Sequence, residues 1–203
     1  MSRRIGIFGG SFNPIHIGHL VIAEAAWQEF SLDKVIFVPT GDTPNKDMHH
    51  ISKYMRYEMV AKAIEGNSRF AISSIERDRT GPSYTVDTIH MFREQFGKED
   101  QLYFICGTDS IADLPNWKYN VELLKCCEFI SASRPGNEEE IIRSVSYFGD
   151  LGKEKIHFLR SPELNISSTI LRKLIAKNKS VKYLVPDPVI QFIHENDLYK
   201  DTL

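Results

Sequence analysis

Short, continuous apolar runs alternate with helix-period segments along most of the chain, and no other feature restricts the fold as strongly. The runs are IGIF (5–8), KVIFVP (34–39), RFAIS (69–73), QLYFIC (101–106), EFISAS (128–133) and a weaker KIHFL (155–159). Each is bounded by turn residues and lacks the polar alternation of a half-exposed strand. Strands buried on both faces read this way. Between the runs, Ala23, Ala26, Trp27 and Phe30 follow helical spacing, with Glu24, Gln28 and Glu29 on the other side. Further helices are predicted over 52–66, 83–97, 167–178 and 187–196. Serines open the first two, and glycines close them. In 167–178 the spacing turns Ile170, Leu171, Leu174 and Ile175 inward.

Strand–helix alternation closes into an open parallel sheet with right-handed crossovers and helices on both faces. The expectation is an α/β, Rossmann-like fold with a small helical portion at the C-terminal end. One long loop spans 40–50, and neither an internal repeat nor a linker is visible, so 1–203 reads as a single domain. With 25 Lys and Arg against 27 Asp and Glu, the net charge is −2. That balance gives no electrostatic case for a nucleic-acid polymer or a membrane surface. No apolar run is long enough to span a bilayer and no signal peptide opens the sequence, so a cytoplasmic protein is expected. Self-association is left open. Cys106, Cys126 and Cys127 are odd in number and lack C-x-x-C spacing, which predicts buried free thiols.

In such sheets ligands bind beyond the carboxyl ends of the strands. The first strand is predicted to end at Phe8, which places GGSFNPIHIGH (9–19) at that edge. The stretch is neither a P-loop nor a G-x-G-x-x-G turn. Gly9 and Gly10 are expected to let the backbone approach a ligand, and Pro14 to stiffen the turn. His16 and His19 fall near the start of a helix, whose exposed N–H groups favour anions. Three readings compete for this pair: a shared metal, for which no third ligand is spaced nearby; two structural histidines; and phosphate handling. Near the other end, Ser167 and Ser168 are expected to cap a helix that carries Arg172.

The two stretches together resemble the HxGH nucleotidyltransferase superfamily, which pairs a first motif of this form with a second at the start of a late helix. Within it the chain looks most like the bacterial nicotinate mononucleotide adenylyltransferases, nearly end to end. GPSYTVDT (81–88), CGTDSIADLPNW (106–117), SRPG (133–136), ISSTILR (166–172) and the tail YLVPDPVIQFIHENDLY (183–199) carry the likeness. The tail's apolar spacing suggests a docked helix. Class I aminoacyl-tRNA synthetases also carry HIGH, but KMSKS, room for an anticodon domain and a basic bias are lacking. Phosphopantetheine adenylyltransferases share HxGH but are shorter and lack the GPSYTVDT and LPNW elements. Two departures stand out. TPNK (43–46) replaces Pro-Pro-His-Lys, so Lys46 keeps the cation while Asn45 replaces a histidine, with His49 and His50 close by. Asn13 stands where the family often has Asp.

The resemblance implies transfer of AMP from ATP to nicotinate mononucleotide with release of pyrophosphate, by in-line attack and without a covalent enzyme intermediate. It implies His16, His19, Lys46 and Arg172 as catalytic groups. Gly9, Gly10, Ser11, Phe12, Gly107, Asp109, Arg134, Ser167, Ser168 and Thr169 would meet ATP. Tyr84, Thr85, Trp117 and Lys118 would meet the mononucleotide, with Trp117 stacked on the pyridine ring and Thr85 near its carboxylate. Mg2+ would arrive with ATP, without dedicated protein ligands. A nucleotide-binding regulatory module that lacks turnover is the non-enzymatic alternative.

Overall fold

All six apolar runs become strands of one parallel sheet in the structure, a computed structural model that describes residues 2–41, 51–132, 138–162 and 164–200. The strands are β1 (Arg4–Gly10), β2 (Lys34–Pro39), β3 (Phe70–Ile72), β4 (Gln101–Gly107), β5 (Glu128–Ala132) and β6 (Ile156–Leu159). Their order is β3-β2-β1-β4-β5-β6. The chain builds outward from β1 through β2 to β3, then returns and builds the other way from β4. Strand order therefore reverses between β1 and β4, and the crevice lies above their carboxyl ends, at Gly10 and Gly107.

Successive strand residues feed opposite faces. Phe8, Val35, Phe37, Tyr103, Ile105 and Ile130 lie in one core. Ile5, Ile7, Ile36, Val38, Leu102, Phe104 and Phe129 lie in the other. This two-sided burial is why the strands read as unbroken apolar runs. The first core is covered by α1 (Ile17–Glu29), α2 (Lys53–Ile64), α8 (Ser168–Ala176) and α9 (Asp187–Glu195). On the second lie α3 (Thr85–Phe96), α4 (Thr108–Asp113), α5 (Asn120–Cys126), α6 (Glu138–Tyr147) and α7 (Gly149–Lys155).

The sequence expectation differs in several places. None of the helices α4 to α7 was foreseen. They run for 6, 7, 10 and 7 residues, shorter than the window over which a 3.6-residue period declares itself. Ile170 points outward and is 49 % exposed, because α8 buries a narrow stripe centred on Leu171. Cys106 and Cys127 are buried and free, with burial pushing both thiols up, but Cys126 is only half-buried. Ser52 does cap α2, accepting the Met55 N–H, and Gly97, at φ +88°, does end α3. Among the described residues, no helix is long and apolar enough to cross a membrane.

Candidate active site

The turn after β1 is built from the inside. Phe12 takes a left-handed backbone, φ +46°, and buries its ring beside Phe8, Phe37 and His19. Any contact of Phe12 with a nucleotide therefore runs through its backbone. The space beside Gly9 and Gly10 is taken by the protein itself. A Cβ on Gly9 would lie 2.6 Å from the Phe104 ring, and one on Gly10 would lie 3.0 Å from the Phe12 ring. The protein's own aromatic rings fill the space the glycines leave. Residues 9 and 10 can offer a ligand their main chain only. Ser11 lies at the same edge, half-buried, and Asn13–Pro14 is a cis peptide.

His16 is the N-cap of α1, and His19 sits three residues later, at the third position of the helix. The His16 backbone N–H donates to His19 Nδ1 at 3.2 Å, and the two rings lie 3.7 Å apart between centroids. Because Nδ1 accepts, the neutral His19 ring carries its proton on Nε2, the correct tautomer for donating to a phosphate oxygen. His16 is buried and His19 half-buried. The i, i+3 spacing is thus a capping geometry. Gly18 completes it, since a Cβ there would lie 3.0 Å from His16 Nδ1. Gly18→Ala should therefore displace the His16 ring and lower kcat/KM by roughly tenfold or more, since small misplacements at a reacting centre are costly. Steady-state kinetics beside a melting curve check this. A wild-type rate would show that the glycine serves no catalytic geometry.

The late motif arrives at the same turn. Ser167 caps α8, accepting the Ile170 N–H at 3.3 Å. Ser168, expected from the sequence to share the capping, does not. Its hydroxyl donates to the Pro14 carbonyl at 2.9 Å. Arg172 Nη1 donates to the Asn13 carbonyl at 2.8 Å, and Nη2 reaches Thr169 Oγ1 at 3.4 Å. Thr169 itself is exposed. The Tyr199 hydroxyl, from the chain's tail, donates to Asn13 Oδ1 at 2.7 Å. Asn13 thus gathers the first motif, α8 and the tail, and the N-terminal ends of α1 and α8 converge there. Two helix starts and an arginine make an anion-binding edge.

Across the crevice, Gly107 ends β4 and caps α4, whose first turn exposes Asp109. Asp109 opens onto a cleft of about 560 Å³, also lined by Asp113, Pro115, Arg143 and Tyr147. The predicted mononucleotide residues also come together. Lys118 Nζ donates to the Tyr84 hydroxyl at 3.0 Å, which holds the ammonium above its ordinary range. Trp117 is half-buried. Its ring stands edge-on to Phe104 and Phe129, and its Nε1–H donates to Asp113 Oδ2 at 3.2 Å. One side of the indole thus belongs to the core, and the other is partly exposed. Tyr84 is the N-cap of α3, and Thr85 is its first residue. The Tyr84 side chain makes no capping hydrogen bond to this helix. Lys46, Asn45, His49, His50 and Arg134 lie outside the described residues.

Two buried charged groups were missed from the sequence. Arg56 is 1 % exposed and donates to the carbonyls of Ser11, Thr40 and Gly41 and to Thr40 Oγ1. It stitches the β1–α1 turn to the segment after β2. The signal was present: Arg56 falls in the buried stripe of α2 with Met59 and Val60, where the period asks for an apolar residue. Glu76 is buried, accepting the Gly41 N–H and the Thr88 hydroxyl, and burial pushes its carboxyl up. Nothing periodic marks it. Among the described residues, no three His, Cys, Asp or Glu side chains are grouped to hold a metal ion.

The fold brings the paired helix starts to the strand-order reversal, and comparison with known proteins gives the class. The cytidylyltransferase-like family model matches residues 7–174. A Thermoanaerobacter sp. (strain X514) protein named "Probable nicotinate-nucleotide adenylyltransferase" is 45 % identical over 203 residues, covering 97 % of this chain and 94 % of its own. A Moorella thermoacetica protein of the same name is 45 % identical over 202 residues, covering 98 % and 93 %. The Plasmodium falciparum nicotinic acid mononucleotide adenylyltransferase complexed with NaAD superposes with a TM-score of 0.79 at 22 % identity, over 98 % of each chain, a likeness of fold. The chain belongs to the cytidylyltransferase-like family and, within it, to the nicotinate-nucleotide adenylyltransferases, a family of enzymes.

Proposed function

We propose that this chain transfers the adenylyl group of ATP to nicotinate mononucleotide, giving nicotinate adenine dinucleotide and pyrophosphate. The observation that carries the reading is the meeting of the α1 and α8 helix starts, with His19 and Arg172, at the strand-order reversal. The names of the closely similar relatives support the substrate pair. In the proposed step, an oxygen of the mononucleotide's phosphate bonds to the α-phosphorus of ATP. The bond from that phosphorus to the bridging oxygen breaks in line, and pyrophosphate leaves with the electron pair. No enzyme nucleophile takes part. The protein's work is then to position two anions and stabilise the charge that develops between them.

In this scheme His19 Nε2–H donates to the transferring phosphate, with His16 alongside. Arg172, Ser167, Ser168 and Thr169 receive the departing phosphates. Gly107 and Asp109 meet the adenosine. The main chain of residues 9–12 lines the floor. Lys46 and Arg134 complete the phosphate contacts in the same proposal. Mg2+ would come with ATP and would supply charge neutralisation at its phosphates. The pyridine ring lies against Trp117 near Tyr84 and Lys118. Its carboxylate meets the first N–H groups and the Thr85 hydroxyl at the start of α3. Action of 1–203 as one domain and cytoplasmic residence belong to the same proposal.

Pyrophosphate release with ATP, Mg2+ and either mononucleotide tests it. Turnover with the acid is expected, at a kcat/KM about a hundredfold above the amide's, because an amide NH₂ turned toward donors leaves polar groups unmatched. Trp117→Ala should raise the mononucleotide KM roughly tenfold through lost ring contact, and Thr85→Ala should narrow the acid preference. Absence of pyrophosphate with both substrates would refute the assignment and leave a binding module.

A further inference from the structure

The two buried charges meet at one residue. Gly41 donates its N–H to Glu76 Oε2 at 3.2 Å, and its carbonyl accepts Arg56 Nη2 at 3.3 Å. The other Glu76 oxygen accepts the Thr88 hydroxyl at 2.7 Å, and Thr88 lies one turn into α3. A single chain of bonds therefore runs from the Ser11 carbonyl through Arg56, Gly41, Glu76 and Thr88 to the helix that opens at Tyr84–Thr85. The packing at its centre is tight. A Cβ on Gly41 would lie 2.5 Å from the Glu76 carbonyl oxygen and 2.8 Å from Ser83 Oγ. Ser83 directly precedes the N-cap of α3, so the segment after β2, Glu76 and the helix start are in direct contact.

We propose that Glu76 is a positioning residue for the pyridine-carboxylate subsite. It seats the first turn of α3 against Gly41, so that the N–H groups at Thr85 face the substrate's carboxylate. The inference rests on the adenylyl-transfer reading and identifies what holds its acid-recognising end in place. A buried carboxyl is an expensive way to fill space, since an apolar side chain of like volume carries no desolvation cost. What a carboxyl supplies here is two acceptors at a fixed separation, one for a strand-end amide and one for a helix hydroxyl. A shift of the α3 start would misplace donors for one substrate group only. Glu76 should therefore act on mononucleotide binding and on the choice between acid and amide, and scarcely on ATP.

Steady-state kinetics of the full chain with ATP and each mononucleotide test this. Glu76→Ala and Thr88→Val should each raise the KM for nicotinate mononucleotide roughly tenfold or more and reduce the acid-over-amide ratio, while kcat and the ATP KM stay within about twofold. Glu76→Gln should recover most of the loss, because its carboxamide can accept from Gly41 and donate to Thr88 Oγ1. If Glu76→Ala does not fold, the near-isosteric Thr88→Val carries the same reading. The proposal is overturned if Thr88→Val leaves the acid KM and the acid-over-amide ratio at wild-type values. Parallel losses in kcat and ATP KM overturn it equally, because they indicate general loosening, and so does a Gln variant as impaired as the Ala variant. A wild-type chain that turns over neither mononucleotide is a separate result, and it counts against the adenylyl-transfer reading itself.

Discussion

His19→Ala is expected to lose about a hundredfold or more in kcat, with ATP binding changed far less. The reason is the tautomer set by the first turn of α1. The His16 N–H occupies His19 Nδ1, so the neutral ring carries its proton on Nε2. A donor held in that way costs no reorganisation when charge builds on the transferring phosphate, and its loss falls on the transition state rather than on ground-state binding. The fold should survive. The variant loses one hydrogen bond at a helix start, a stability cost of roughly 1 kcal/mol. Single-turnover rates, an ATP titration and a melting curve separate these effects. A variant that keeps near-wild-type kcat would remove His19 from the chemistry. One that unfolds would make its role structural.

Arg56→Ala is expected to give the largest loss of stability, on the order of 3–5 kcal/mol, because it strips a buried cation from oxygens that depend on it. Its donors reach the carbonyls of Ser11, Thr40 and Gly41, and the side chain is almost wholly enclosed. For a chain of this size the corresponding fall in Tm is roughly 10 °C. Arg56→Lys should recover little, since one ammonium cannot reproduce a planar fork directed at several carbonyls at once. Denaturant titration and calorimetry check both variants. If the lysine variant is as stable as wild type, Arg56 supplies only a charge, and the stitching of the two segments rests on other bonds.

The same residues show where sequence reasoning stopped. The strands could be read because burial on both faces leaves no polar positions, a one-dimensional pattern that survives without neighbours. The H-x-G-H pair stands out in the sequence, but only the structure shows that its spacing is that of an N-cap and the third residue of a helix. Gly9 and Gly10 stand out in the sequence as a flexible pair, but sequence does not say that the Phe104 and Phe12 rings occupy the space beside them. Arg56 broke the period of its helix and was legible in principle. Glu76 was not, because a buried carboxyl looks like any surface glutamate until its partners are known.

By itself, then, the sequence determined the sheet, its parallel sense and the two motifs that meet at its carboxyl edge. All of these follow from local periodicity, turn chemistry and short-range spacing. Only the tertiary structure decided how the motifs meet. Asn13 accepts from Arg172 and from Tyr199, residues 159 and 186 positions away. Gly41 is held between Arg56 and Glu76. Such contacts depend on hydrogen-bond geometry between segments that share no local pattern, and they exist only once the sheet has brought the strand ends together.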